Sequence, residues 1–340
     1  MVCLLCCVYL YLHPGIIAGE EGIAVIRMEK RGAVRELLPL CLFLLGMGLL
    51  LWLFPGEEPV PEPPLAERDG IRVLAGVPDV PGEERTFSRQ VLLAGTLLPV
   101  GPEHPLPRDY PAPSTRTLRA QVGLYLPTEE ETALRAEAIY ALCEMQLARP
   151  MEDGAVLTVG AVSSAQQEEM LRDAFGRCLR VYPLEEAMAM ARALVPGGGQ
   201  SEHQTGLAVD VRLTGALEMG YADPLERNET GRWLSENMWR YGFIRRYTRD
   251  GEAGNCENIH LRFVGKIHAA AMHTLDISFE EYWALLKSTG GLTLERDGQR
   301  WAWVLCRPCD DAFTVSVPPG AECTASTDGS GCAVAAVLLP

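Results

Sequence analysis

The amino-acid sequence predicts an α+β protein with a mainly antiparallel sheet. Three observations carry this. Helical and strand-like stretches are interspersed through the middle of the chain without regular strand–helix–strand alternation. From about residue 290 onward, short strand-like runs follow one another across turns. Shifts of composition set off a central domain, 86–289, from an N-terminal region and a small C-terminal β appendix, 290–340.

The elements follow in order. Residues 1–36 read as a cytoplasmic N-terminus. "MVCLLCCVYLYL" is apolar but too short to span a bilayer. Met28 opens "MEKRGAVREL", the more ordinary start, so residues 1–27 are expected to precede the true translation start. Residues 37–54, "LLPLCLFLLGMGLLLWLF", carry no charge and reach the minimum length of a membrane helix. Lys30, Arg31 and Arg35 precede this run and Glu57, Glu58 and Glu62 follow it, which orients the N-terminus inward. No A-x-A-like site follows, which predicts a retained anchor rather than a cleaved signal peptide. Residues 55–85 begin "PGEEPVPEPPLAERD", proline-rich and acidic, and read as an extended stalk.

Thr128 and Glu131 form a capping box, which predicts an amphipathic helix through "TEEETALRAEAIYALCEMQLAR". "AVLTVGAV" (155–162) reads as a buried strand, and a helix is expected from Ser164 to Cys178. "LEEAMAMARALV" gives another helix, stopped by Pro196 and the glycines after it. "TGRWLSENMWRYGF" is a helix ending near Gly242, "NIHLRFVG" a strand, and "SFEEYWALLKSTGG" a helix with a glycine stop. "GQRWAWVLC", "AFTVSVP" and "GCAVAAVLL" supply the strands of the appendix. No internal repeat stands out.

A formal net charge of -15 argues against nucleic acid or an anionic polymer as partner. Four of the 11 cysteines (Cys3, Cys6, Cys7, Cys41) precede or enter the membrane segment. Cys306-x-x-Cys309 has metal-like spacing but no second such pair, so a disulfide with Cys323 or Cys332, or plain thiols, is expected.

The chemistry gathers in "PGGGQSEHQTGLAVDVR", residues 196–212. "LAVDV" alternates as a strand, with Leu207, Val209 and Val211 toward the core and Ala208, Asp210 and Arg212 on the other face. His203 precedes it, and Gly206 lets the chain fold the imidazole back toward Asp210. On these residues alone a metal site competes with ordinary surface polar groups. His260 in "CENIHLRFVG" supplies a third zinc-type donor, with Arg262 on the same side of its strand. Glu257 lies three positions earlier, so it joins His260 only through a bend at Asn258–Ile259. Two histidines and one aspartate leave a fourth zinc position open, the catalytic arrangement. Glu257, not itself a ligand, is the expected carrier of the water's proton to the leaving amine.

"SEHQTGLAVDV" with "ENIHLRFVG" resembles the VanY-type D-alanyl-D-alanine carboxypeptidases of the LAS metallopeptidases, with their S-x-H-x-x-G-x-A-x-D and E-x-x-H motifs. The likeness extends through "HPLPRDY" and "WLSENMWRYGFIRRY", over roughly residues 90–290. It implies a small α+β zinc-peptidase fold of the hedgehog/LAS type. It also implies zinc ligands at His203, Asp210 and His260 and a catalytic base at Glu257. The substrates it implies are peptidoglycan stem peptides or precursors ending in D-Ala-D-Ala, cleaved outside the membrane. Ser201, Gln167, Ser163 and Arg262 are the candidate substrate-binding residues. With the zinc set full, His104, His268 and His273 read as structural or surface residues.

Three positions depart from the family pattern. Val162 stands where a "GYRS" arginine assists developing charge, Ile259 replaces a tryptophan, and Cys256 replaces a tyrosine. The expected activity is therefore D,D-carboxypeptidase. The alternatives are a weakened relative that binds wall peptides without cutting them, and an L,D-carboxypeptidase or endopeptidase.

Overall fold

A six-residue pattern, Glu-Arg-Asp-Gly-x-Arg, occurs at 67–72 and again at 295–300, and both copies turn the chain in the largest sheet. The computed structural model describes residues 64–118, 128, 132–149, 154–214, 225, 228–247 and 258–340. Asp69-Gly70 has φ of 51° and 75°, and Asp297-Gly298 has 53° and 75°. Positive φ at both positions is the type I′ hairpin turn, whose twist matches that of the strands it joins.

The strands, in chain order, begin with β1 (Ala66–Arg68), β2 (Ile71–Ala75), β3 (Glu83–Ser88), β4 (Thr115–Thr117) and β5 (Ala133–Arg135). There follow β6 (Ala155–Leu157), β7 (Ala208–Leu213), β8 (Phe243–Arg245) and β9 (Asn258–Phe263). The last five are β10 (Gly291–Arg296), β11 (Gln299–Pro308), β12 (Ala312–Val317), β13 (Glu322–Thr327) and β14 (Cys332–Leu338). The helices are α1 (Arg89–Leu93), α2 (Ala136–Ala148), α3 (Ser164–Cys178), α4 (Leu184–Leu194), α5 (Glu229–Asn237), α6 (Lys266–Leu275) and α7 (Phe279–Thr289). All the paired strands are antiparallel, as expected.

The largest sheet has the order β1-β2-β10-β11-β14-β13. One face packs on α6 and α7 through Ile71, Val73, Leu292, Leu294, Val304 and Trp283. The other face meets Phe313, Val315 and Val317 of β12, which pairs with β3. This corrects two expectations. Residues 66–68, 71–75 and 83–85, expected as stalk, lie in paired strands: β1 on β2, β2 on β10, and β3 on β12. Residues 290–340 are not a separate appendix, because β10 and β12 pair with the N-terminal strands β2 and β3. Ile71 and Val73 are completely enclosed, and each such side chain stabilises the fold by about 1.5–3 kcal/mol.

The second sheet has the order β6-β7-β9-β8 and positions the candidate site. Val209 and Val211 of β7 and Ile259, Leu261 and Phe263 of β9 pack with Leu142 and Met145 of α2. The face expected to be core is core. A third, smaller cluster joins α3 to α4 through Leu171, Ala174, Ala187 and Ala191.

The helix expected from Thr128 begins only at Ala136. Residues 133–135 form β5 against β4 instead, and Thr128 bridges Leu157. Tertiary partners outbid the helix here. Arg135 N–H donates to Gly206 O at 2.9 Å, and Ala161 N–H donates to Ala133 O at 2.6 Å. The strand expected over 155–162 closes at Leu157. The cysteines Cys306, Cys309, Cys323 and Cys332 are free thiols, as are Cys143 and Cys178. The expected anchor at 37–54, the start at Met28 and Cys256 lie outside the described residues, whereas the bend expected at Asn258–Ile259 does not form, because both residues belong to β9 and pair in unbroken register with Arg212 and Val211 of β7. Among the described residues no helix is long and apolar enough to cross a membrane.

Candidate metal centre

Strand register brings the first two site residues together. Asp210 of β7 stands directly opposite His260 of β9. Asp210 N–H donates to Val159 O at 2.9 Å and its carbonyl accepts from Thr158 N–H at 2.8 Å, so both point away from β9. The pair is therefore a non-hydrogen-bonded one, the geometry in which facing side chains come closest. His260 Nδ1 lies 2.8 Å from Asp210 Oδ1.

His203 arrives from a short 3-10 turn, Glu202–Thr205, closed by Gly206 at φ 69°. A β-carbon there would stand 2.9 Å from Thr115 Cγ2 and 3.0 Å from Arg135 Cγ, so both conformation and space call for glycine. The turn places His203 Nε2 3.2 Å from the same Asp210 Oδ1. The two imidazole rings meet edge to face at 4.7 Å. One donor atom from each of His203, Asp210 and His260 falls within 4.8 Å of the others. Two neutral imidazoles and a carboxylate suit zinc, and three protein ligands leave room for a fourth.

The sequence reading missed Glu202. Its side chain is only 1 % exposed, and its Oε2 lies 3.1 Å from His260 Nε2. Arg246 Nε donates to its Oε1 at 2.8 Å, and Arg262 Nη1 stands 3.6 Å away. Glu280 of α7 grips Arg246 with both carboxylate oxygens, at 3.0 and 2.5 Å. A glutamate in a turn reads as a surface group, and only the folded packing encloses this one.

Burial and charge work against each other throughout. Burial alone would neutralise Glu202, but Arg262, His260 and Arg246 hold its carboxyl well below the usual range. Asp210 is likewise held low against burial by its hydrogen bonds to His203 and His260. Burial would discharge His260, but hydrogen bonds to Asp210 and Glu202 push it up to about 9. Two carboxylates around one imidazole make a field that favours a cation.

The other expected site residues have structural partners. The Ser163 hydroxyl caps α3, accepting from Gln166 N–H at 3.2 Å, while Gln166 Oε1 accepts from Ser163 N–H at 2.8 Å. Buried Gln167 donates through Nε2 to Pro196 O at 2.8 Å and so ties the glycine run to α3. Ser201 is buried at the start of the turn that carries His203. Arg262 is a correction. It shares the His260 side of β9, but its side chain is fully enclosed and donates to Thr96 O and Leu98 O at 3.1 and 3.3 Å. Segment 96–98 covers it, so it meets no substrate. Val162 adjoins the turn, its N–H 3.4 Å from His203 O. Glu257 lies outside the described residues. Among the other histidines, His268 bonds the Tyr282 hydroxyl at 2.9 Å inside the core. His273 stacks on Trp239 at 4.4 Å, and His104 is exposed.

The family model VanY, D-alanyl-D-alanine carboxypeptidase, matches residues 131–266. A D-alanyl-D-alanine carboxypeptidase of Enterococcus faecium is 32% identical over 123 residues, which is 35% of this chain and 38% of that protein. Another, of Enterococcus faecalis, is 34% identical over 131 residues, covering 37% of this chain and 46% of that protein. The chain thus spans less than half the length of these two relatives. The vancomycin-resistance D,D-dipeptidase VanXYg, solved with a D-Ala-D-Ala phosphinate analogue, aligns with a TM-score of 0.58 at 19% identity. That alignment covers 76% of this chain and 99% of that one, and it is a likeness of fold.

Proposed function

We propose, taking residues 131–266 as a domain of the VanY D-alanyl-D-alanine carboxypeptidase family, that the chain is a zinc-dependent D,D-carboxypeptidase removing the terminal D-Ala from peptidoglycan stem peptides. The observation that carries this reading is the convergence of His203 and His260 on Asp210 Oδ1, at 3.2 and 2.8 Å. His203, Asp210 and His260 hold the metal. When bound, zinc supplies Lewis-acid polarisation of the scissile carbonyl and activation of water. Glu257, which directly precedes β9 in the sequence, moves the proton. It takes a proton from the attacking water and delivers it to the departing amine of D-Ala as the carbon–nitrogen bond breaks. The uncharged run at 37–54 supports an envelope-anchored enzyme working outside the membrane.

Val162 favours a second reading, a relative that binds wall peptides but cleaves them slowly. An arginine at that position in the family assists the developing charge, and valine cannot. One experiment separates the two. The purified chain is incubated with zinc and a pentapeptide ending in D-Ala-D-Ala, and products are followed by mass. Loss of one D-Ala, abolished by Glu257→Gln, supports the enzyme. Stoichiometric zinc and peptide binding without cleavage supports the binding module.

A further inference from the structure

We infer that Glu202 is the positioning residue for His260, fixing its ring and its tautomer so that Nδ1 faces the metal. This rests on the zinc reading above and adds a residue to it. The two nitrogens of His260 face opposite ways. Nδ1 lies 2.8 Å from Asp210 Oδ1, inside the donor cluster, and Nε2 lies 3.1 Å from Glu202 Oε2, outside it. A neutral imidazole carries one N–H. With that proton on Nε2 it donates to Glu202, and the Nδ1 lone pair is free for a cation.

The carboxylate is itself held still. Its second oxygen accepts from Arg246 Nε at 2.8 Å, and Glu280 locks Arg246 from the far side. Arg262, with no exposed side-chain surface, stands 3.6 Å from the same oxygen. The enclosure excludes substrate from Glu202, so its influence on a reaction passes through His260. The local backbone explains the pairing of roles. Glu202 and His203 are neighbours in one tight turn, so their side chains diverge. One becomes a ligand, and the other reaches behind the ligand from the opposite strand.

The test compares zinc affinity of the full-length chain with that of Glu202→Gln and Glu202→Asp, by competition with a chromophoric chelator. Loss of an outer carboxylate partner weakens metal binding by roughly 10–100-fold, and that loss is expected in both variants. A second measurement needs no variant. In ring-¹⁵N-histidine protein loaded with ¹¹³Cd, the cadmium coupling of His260 is expected at Nδ1, with a slowly exchanging proton on Nε2. Unchanged affinity in folded variants, or cadmium coupling through Nε2, overturns the inference and leaves the zinc site standing. Failure of the wild-type chain to take up one zinc overturns both. If neither variant folds, the wild-type ring spectrum alone decides.

Discussion

Asp210 is the residue on which the centre closes, since a single oxygen meets both histidines. Asp210→Asn keeps the shape and removes the charge. Zinc content after dialysis is expected to fall more than about tenfold, because a ligand matters at least as much as an outer partner. Glu257→Gln should leave zinc content unchanged and lower kcat by about 10²–10⁴-fold in the pentapeptide assay, the usual contribution of a general base. Val162→Arg is expected to raise kcat toward the roughly hundredfold that one charge-stabilising donor contributes. An unchanged rate would show that position 162 does not limit the reaction. At this scale the three residues that the fold brings together, His203, Asp210 and His260, were named from the sequence. His203 and Asp210 flank a glycine and His260 lies on an alternating strand; that pattern alone competes with surface polar groups, and the motif resemblance singles it out. Glu202 was not legible, because nothing local distinguishes a buried turn carboxylate from an exposed one. Arg262 shows the complementary limit. Its side of the strand was right, but the covering segment at 96–98 lies far away in sequence.

Helix α3 formed over the expected range, Ser164 to Cys178, and the capping box at Ser163 and Gln166, which the structure adds, makes the stability argument local. Ser163→Ala is expected to lower stability by about 0.5–2 kcal/mol, read by urea unfolding, with zinc affinity unchanged. A second element-scale prediction concerns α6. Burial pushes the His268 imidazole down to about 3, from an ordinary value of 6.5. The unfolded chain therefore binds this proton at a pH where the folded chain does not. Stability from the neutral imidazole is full above pH 6.5 and declines as pH falls from 6.5 toward about 3. The slope from this group approaches about 1.4 kcal/mol per pH unit within that window. Urea titrations at pH 7 and pH 5 are expected to show it in the wild type and to lose it in His268→Gln. Strand β5 marks where local reading fails. Its residues favour a helix, yet their backbone bonds go to β4, Gly206 and Ala161, none of which is near in sequence.

The whole molecule depends on its ends meeting. Strand β2 contributes Ile71 and Val73 to a core built, apart from Leu97, from the last third of the chain. Val73→Ala is expected to destabilise the protein by about 1–3 kcal/mol by thermal melting, whereas a mere stalk residue would change nothing measurable. The sequence held a signal for this. Asp-Gly flanked by strand formers is a strong hairpin mark, and it occurs twice in the same hexapeptide setting. The preceding prolines drew the reading toward an extended stalk. The partner of β2 was beyond local reach, since Val73 pairs with Leu294, more than two hundred positions away. That separation orders events during synthesis. Strands β2 and β3 emerge early, and although β2 pairs at once with β1, the partners β10 and β12 follow only late in the chain. Until then their edges stay unpaired, in the state most open to misassociation. Closing so long a loop is also slow. Refolding of the full chain is therefore expected to finish with the sheet around Val73, after the metal-centre sheet has formed, and pulse-labelled hydrogen exchange would reveal that order.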